Sequence, residues 1–153
     1  MMKSITKNKA AYHDNQIDKT YDVGIVLKWH EVKAIKMSHV NIKDAIVQLT
    51  DKELWIINMD VPLYARTSPV LAPWYQAKGR RKLLITKLEL RKIASALDKS
   101  GTILIPLEVF ISKRGLIKLT IGVGKLMRKV EKKQILKEKD MKRQMDRDIK
   151  SLK

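Results

Sequence analysis

The sequence predicts a small, mainly β domain, in which about six antiparallel strands close into a barrel with two or three helices, followed by a basic C-terminal tail. Three observations lead to this prediction. Several short segments alternate polar and apolar residues, as half-buried strands do. A threonine-led capping pattern begins a helix between two of them. Beyond Gly124 the chain contains no glycine, proline or aromatic residue and is strongly charged, which is typical of a helix-prone tail outside the core.

The first predicted strand is Tyr21–Leu27, whose odd-numbered side chains should face the core. The period then changes over Trp29–Met37, where Trp29, Val32 and Ile35 recur every three residues. This spacing predicts a short amphipathic helix with an apolar stripe along one side.

A hairpin is predicted next, formed by Asp44–Leu49 and Glu53–Met59 around the tight turn Asp51-Lys52. Trp55 lies in the second of these strongly apolar segments, and we expect its indole in the core.

The segment from residue 60 to 79 holds three of the four prolines and has no period, which predicts an irregular surface excursion. It contains Tyr64, Trp74 and Tyr75. Exposed aromatic rings beside cations can stack on nucleic-acid bases. In a small barrel they more often cover an edge of the core, and covering is the interpretation we favour.

Three cations, Arg80, Arg81 and Lys82, lead into the next apolar strand, and such a cluster suits phosphate contacts. Thr86-Lys87-Leu88-Glu89 has the form of a capping box, which predicts a helix that ends before Gly101. We expect this helix to plug the barrel rather than to form a site.

The last two strands are predicted over Thr102–Ile111 and Leu116–Val123, joined by a turn at Lys113-Arg114-Gly115. Ile103 to Ile111 alternate so that the odd-numbered side chains share a face. Pro106 cannot donate a backbone hydrogen bond, which predicts that the first of the two is an edge strand or a bulged one.

The composition indicates a polyanionic partner. The 153 residues carry 33 basic and 16 acidic side chains, a net charge of +17, far more than solubility requires. No cysteine is present, which excludes disulfides and thiolate metal sites, and no cofactor is expected. No apolar run is long enough for a membrane span, so a cytoplasmic protein is expected.

The stretch from Gly24 to Val47 resembles the SmpB family, the SsrA-binding proteins that partner transfer-messenger RNA in bacteria. The family pattern reads G-I-x-L-x-G-x-E-V-K-S-L-R-x-G-x-x-N-L-x-D-x-Y-V. It is matched at Gly24, Ile25, Leu27, Glu31, Val32, Lys33, Asn41, Asp44 and Val47. The chain departs from it at four places: Trp29 replaces a glycine, Lys36 an arginine and Ile46 a tyrosine, and Ser38 stands near a second glycine.

This resemblance implies an OB-fold-like barrel over residues 1–124 and a tail over 125–153 that is helical on the ribosome. Residues 1–12 are polar and basic with no clean period, which predicts a flexible arm. The tail has too few apolar residues to order itself, which predicts that it is disordered when free. The resemblance also implies an RNA-binding set. The members of that set are Glu31, Lys33, Asn41, Arg80, Arg81, Lys82, Leu84 and Lys125.

The tail carries twelve basic and five acidic residues, a net charge of +7. Glu131-Lys132-Lys133 resembles the family's D-K-R element, and Val130 replaces the ring-bearing residue before it. The tail residues expected in the messenger channel of the ribosome are Arg128, Val130, Glu131, Lys132, Lys133, Lys137 and Lys139.

The function implied by the resemblance is that of a non-enzymatic adaptor of trans-translation. The expected partners are the tRNA-like domain of transfer-messenger RNA, the decoding region and messenger channel of a stalled 70S ribosome, and elongation factor Tu indirectly. A monomer is expected. The three histidines show no metal-site or catalytic spacing, so catalysis is not expected. The charge distribution alone would equally suit a small basic ribosomal protein, and this alternative stays open on sequence grounds.

Overall fold

The structure is a computed structural model that describes residues 2–67, 72–127 and 129–151, and in the last range it leaves out the side chains of residues 129–136, 148, 150 and 151. The elements follow the chain in this order: β1 Lys3–Lys7, α1 Lys9–Asp14, β2 Asn15–Ile25, α2 Trp29–Lys36, β3 Ile46–Thr50, β4 Glu53–Ile57, β5 Arg81–Leu84, α3 Lys87–Leu97, β6 Thr102–Ile111, β7 Ile117–Leu126 and α4 Lys129–Ser151.

Seven strands form one antiparallel sheet in the order β1-β6-β7-β2-β5-β4-β3. The sheet curls, so that β3 at its far end approaches β6. The predicted class, mainly β with helices, is therefore confirmed, with one strand more than the expected six.

The core lies inside the curled sheet and uses the predicted face of the second strand. Val23 and Ile25 are buried, and Tyr21 packs against the same cluster. Helix α2 covers this core with Ala34 and Ile35, which are both almost completely inaccessible. The predicted stripe of α2 was wrong at one position, because Trp29 points outward and is 64% exposed.

The hairpin forms as predicted, with Thr50 paired to Glu53 across the two-residue turn. Asp51 and Lys52 have φ angles of 50° and 62°, the left-handed values that match the twist of paired strands. The expectation that Trp55 is in the core was wrong. Leu54 and Ile56 point inward, and alternation along β4 therefore places Trp55 on the outer face.

The flexible arm expected over residues 1–12 is also corrected. Lys3–Lys7 pairs with β6 in antiparallel register, and Asn8 caps α1 by accepting a hydrogen bond from the amide of Ala11. The side chain of Asn8 is itself buried and donates to the carbonyl of Pro106. Few apolar residues mark this segment because most of its side chains remain at the surface while its backbone is paired.

Strand β6 is bulged, as Pro106 predicted. Pro106 lies opposite Ile121 and Glu108 opposite Thr120, so one residue between them has no partner. The bulge breaks the expected alternation: Leu104 packs in the main core, whereas Leu107 packs with Ala11 of α1 in a second cluster. Both faces of β6 are therefore covered.

The two remaining helices differ in how they are held. Thr86 accepts a hydrogen bond from the amide of Glu89, which confirms the predicted cap of α3, and Ile93 buries its side chain in the core. Helix α4 follows β7 in the chain, and all side chains from 137 to 147 are exposed.

Strand β7 ends at Leu126, so Lys125 belongs to the sheet rather than to the tail.

Candidate nucleic-acid interface

Glu31 and Arg81 form a buried ion pair at the centre of the candidate site. Arg81 Nε lies 2.6 Å from Glu31 Oε2, and both side chains are nearly inaccessible. The guanidinium makes five hydrogen bonds in all: besides Glu31, it donates to the carbonyls of Met59, Gly79 and Ala77 and to the hydroxyl of Tyr75. A guanidinium has five N–H groups, so none remains for a phosphate.

The other carboxylate oxygen of Glu31 has a local role. The backbone N–H of Lys28 donates to Oε1 at 2.9 Å, which satisfies an amide at the N-terminus of α2, where a negative charge is also favourable. Both oxygens are therefore used within the protein. Glu31 and Arg81 therefore have partners inside the protein, and direct contact of either residue with RNA stays a prediction.

Tyr75 completes this buried network. Its hydroxyl donates to the carbonyl of Val61 at 2.5 Å and accepts from Arg81 Nη2 at 3.3 Å. Burial raises the pKa of Tyr75 above its usual value, and the nearby Glu31 carboxylate raises it further. The phenol therefore stays neutral at physiological pH, and its hydroxyl links Arg81 to the excursion.

A cleft of about 540 Å³ opens above the ion pair, and we call it the basic cleft. Two cations on its walls lie over aromatic rings. Lys28 Nζ is 3.8 Å from the ring centroid of Trp74, and Arg80 Cζ is 4.2 Å from that of Trp55. Such pairs leave the charge accessible while the ring limits its motion. The cleft thus presents positive charge and aromatic surface together.

Lys82 joins the basic cleft but is partly neutralised. Its Nζ lies 3.1 Å from Glu53 Oε1 on the neighbouring strand, and both side chains are about two-fifths exposed. An exposed ion pair of this kind contributes little to stability, so Lys82 can exchange Glu53 for a phosphate.

The other predicted RNA-binding residues lie outside the basic cleft. Lys33 is exposed on α2, two positions beyond Glu31 and therefore rotated by about 200° around the helix axis from it. Asn41 is exposed, and its side chain accepts from the amide of Lys43 in a turn. Leu84 is 53% exposed on β5, opposite Gly24 of β2.

Lys125 lies farther away. It is exposed and pairs with Gln16, whereas Gly24, eight residues along β2, pairs with Leu84. At the usual rise of a strand the separation is on the order of 26 Å. The structure therefore does not bring Lys125 together with Arg80 and Lys82.

The predicted tail residues lie partly outside the described structure. Arg128 and the side chains of Val130, Glu131, Lys132 and Lys133 are not among the described groups. The backbone of 129–151 is helical, and Lys137 and Lys139 are exposed on it. The prediction that this segment is disordered in the free protein stays a prediction.

The residues that sequence reasoning missed are Lys28, Trp55 and Trp74. A strict period of two along β4 would have put Trp55 outside, because it lies between two inward residues. Trp74, expected to cover the core, is 56% exposed. No local pattern signals the pairing of Lys28 with Trp74, because they are distant in sequence.

In the part of the chain that the structure describes, no group of His, Cys, Asp or Glu could hold a metal ion. Among the same residues, no helix is long and apolar enough to span a membrane.

Comparison with known proteins agrees with the resemblance. A family model described as SmpB protein matches residues 5–151. The SsrA-binding protein of Coprothermobacter proteolyticus is 40% identical over 147 residues, which cover 96% of this chain and 97% of that protein. The SsrA-binding protein of Persephonella marina is 37% identical over 149 residues, with 97% and 95% covered.

The fold is similar to that of a solved structure as well. A chain in "tmRNA-SmpB: a journey to the center of the bacterial ribosome" superposes with a TM-score of 0.64 and 29% sequence identity. The match covers 86% of this chain and 93% of that chain. It therefore extends over most of both molecules.

Proposed function

Because this chain belongs to the SmpB family, we propose that it binds the tRNA-like domain of transfer-messenger RNA and delivers it to stalled ribosomes for peptide tagging and ribosome rescue. The observation that carries the proposal is the basic cleft. Exposed cations and aromatic rings surround its base, where Glu31 and Arg81 are already paired with each other. A polyanion can bind there without competing for Glu31 or Arg81.

The exposed cations supply the phosphate contacts in this proposal. Lys28, Arg80 and Lys82 line the basic cleft, and Lys33 extends the surface along α2. Phosphate contacts set the position of the RNA. Trp55, Asn41 and Leu84 are proposed to touch bases or riboses, and Lys125 is proposed to make a separate contact toward the tail.

Glu31 and Arg81 act through this surface rather than on the RNA. Arg81 ties the two ends of the excursion to β5, and Glu31 fixes the start of α2 next to Lys28. Their removal would displace Lys28 and Trp74 together, so their effect on binding is indirect.

The tail enters the messenger channel of the small subunit and takes the place of the missing message near the decoding region. Its net charge of +7 is attracted by the phosphate of ribosomal RNA. Neutralisation there favours a helix that a short charged segment cannot keep cheaply in water. The contacting residues are proposed to be Arg128, Val130, Glu131, Lys132, Lys133, Lys137 and Lys139.

In this function the protein is a monomeric adaptor, not an enzyme, and it acts in the cytoplasm. Elongation factor Tu is proposed to take part indirectly.

Sequencing of the RNA that co-purifies with the full-length protein tests the proposal directly. Recovery of transfer-messenger RNA in a ratio of one to one is the expected result. The protein carrying Lys28→Gln, Arg80→Gln and Lys82→Gln should recover far less of it. Constant residence in one ribosomal subunit, with no enrichment of this RNA, would instead indicate a ribosomal protein.

A further inference from the structure

A second cleft, of about 370 Å³, shares Lys28 and Trp74 with the basic cleft, and we call it the aromatic cleft. Its volume falls in the range of roughly 300–1,000 Å³ that is usual for small-molecule sites. The residues that line it are Lys28, Trp29, His30, Arg66, Thr67, Ala72 and Trp74.

Unpaired polar atoms are concentrated at the aromatic cleft. Within the described ranges, three buried side-chain atoms have no hydrogen-bond partner: His30 Nδ1, His30 Nε2 and Thr67 Oγ1. Both residues line this one cleft. Buried polar groups are nearly always paired in native structures, because an unpaired one costs free energy. Their concentration here points to a ligand that supplies the missing partners.

Aromatic rings surround the same imidazole. The ring centroid of His30 lies 5.6 Å from that of Trp29, 6.2 Å from that of Trp74 and 4.8 Å from that of Tyr75. Trp29 and Trp74 are 64% and 56% exposed. Much of each indole is therefore accessible for stacking, with the Lys28 ammonium group over one face of Trp74, and a shift of either ring would uncover more of the imidazole.

Trp74 is placed for such a shift. Residues 72–79 form no helix or strand, and the ring of Trp74 is held by the ammonium group of Lys28. Moving it aside therefore breaks no strand pairing. Arg66 and Lys28, both exposed, supply positive charge at the mouth of the cleft.

We propose that the aromatic cleft binds one unpaired nucleobase of the RNA partner, a site that rests on the proposed function. The base stacks on Trp29 and Trp74, and its polar edge pairs with one of the His30 nitrogens and with the Thr67 hydroxyl. Lys28 and Arg66 bind the phosphates on either side of it. Stacked aromatic side chains are the usual platform for single-stranded bases.

Phosphate alone would not account for this cleft. A bound phosphate would contact Lys28 and Arg66, but the two indoles would have nothing to stack on and the imidazole would stay covered. A neutral imidazole offers one donor and one acceptor, and a hydroxyl offers both. This matches the mixed donor and acceptor edge of a base.

Tryptophan fluorescence tests the site, because the chain has three tryptophans and the Trp55→Phe variant leaves only the two in the aromatic cleft. This variant is titrated with the RNA trinucleotides AAA and UUU and with the same trinucleotides lacking the central base. Intact trinucleotides should quench the fluorescence and bind about tenfold more tightly than the abasic ones.

Single substitutions separate the stacking role of Trp29 from the hydrogen-bonding roles of His30 and Thr67. Trp29→Ala should weaken trinucleotide binding about tenfold, whereas Tyr12→Ala, which removes an exposed ring on α1, should leave it unchanged. His30→Phe and Thr67→Val should each reduce the difference in affinity between intact and abasic trinucleotides, because each removes a group that pairs with the base edge. The second of these keeps the shape of the side chain, so it gives a result even if the His30 variant has a lowered melting temperature.

Equal affinity for intact and abasic trinucleotides would overturn the nucleobase site and leave only a phosphate contact. Trinucleotides that neither bind nor quench, while the tRNA-like domain still binds the protein, would overturn the site but not the proposed function. Tight binding of the intact trinucleotides, together with no binding of the tRNA-like domain, would support the nucleobase site and reject the proposed RNA partner.

Discussion

The charges around Arg81 and the charges along α4 are arranged in opposite ways. At Arg81 every N–H group is used inside the protein, and the partner carboxylate of Glu31 is equally committed. Along residues 137–147 every side chain is exposed. A buried pair that loses one member leaves an uncompensated charge, whereas an exposed cation is already solvated. The buried pair at Arg81 therefore holds the elements of the interface in place, whereas the exposed cations of α4 stay available to a partner.

Removal of the tail should have the largest functional effect and almost no effect on folding. A chain that ends at Leu126 keeps all seven strands and the core. We expect its melting temperature to be unchanged and its affinity for the tRNA-like domain to stay within a few-fold. Peptide tagging on stalled ribosomes in a reconstituted translation system should be lost.

A double substitution narrows this effect to particular residues. Lys132→Ala with Lys133→Ala should reduce tagging strongly, and Lys142→Ala with Arg143→Ala, which removes the same charge farther along α4, should reduce it less. Tagging by the truncated chain at the full-length rate would show that the tail is only a solvated extension.

Substitution of Arg81 should have the largest effect on stability. Arg81→Gln leaves Glu31 buried without its partner, which costs about 3–5 kcal/mol of unfolding free energy. Denaturant unfolding measures this loss. Lys82→Gln, one position along the same strand, is the control and should change the unfolding free energy by less than about 1 kcal/mol. Similar stabilities for the two variants would contradict the internal role of Arg81.

The exposed cations should control the salt dependence of RNA binding. Each phosphate contact contributes about 0.9 to the slope of log affinity against log salt on a duplex backbone. Joint replacement of Lys33, Arg80 and Lys82 by glutamine should therefore flatten the slope by roughly two to three units. Binding at several salt concentrations measures it.

The matched control for this variant replaces Arg91, Lys92 and Lys99, which are also exposed but lie on α3 and the turn after it. Its slope should be close to that of the unmodified protein. An equal loss in both variants would mean that the net charge of the molecule, rather than the basic cleft, attracts the RNA.

The smallest effect is expected at Glu53. Glu53→Gln removes the carboxylate that competes with phosphate for Lys82, so affinity for the tRNA-like domain should rise by up to a few-fold, while stability changes by less than about 1 kcal/mol. Lowered affinity would show that Glu53 orients Lys82 toward the RNA instead of holding it back.

Local patterns predicted the elements more reliably than the site. The turn at Asp51-Lys52 and the cap at Thr86 were found because each depends on neighbours within a few residues. The ion pair was missed because Glu31 and Arg81 are fifty positions apart, and a charged residue in a basic sequence gives no sign that it is buried. The resemblance singled out both residues, but only packing shows that they serve the interior.

The first strand was missed for a related reason. Backbone pairing with β6 holds Lys3–Lys7 in place while most of its side chains stay polar and exposed. Hydrophobic periodicity measures side-chain burial, so it has no signal for a strand that is held by its backbone.

The bonds of Arg81 to the carbonyls of Met59, Ala77 and Gly79 also bear on which changes of length this protein can accept. One side chain therefore joins both ends of the excursion from residue 60 to 79 and fixes the distance between them. The entropy of loop closure grows slowly, by about 0.6 kcal/mol for each doubling of length. Insertions in the middle of the excursion should therefore be tolerated, whereas a single deletion beside Met59 or Ala77 should not.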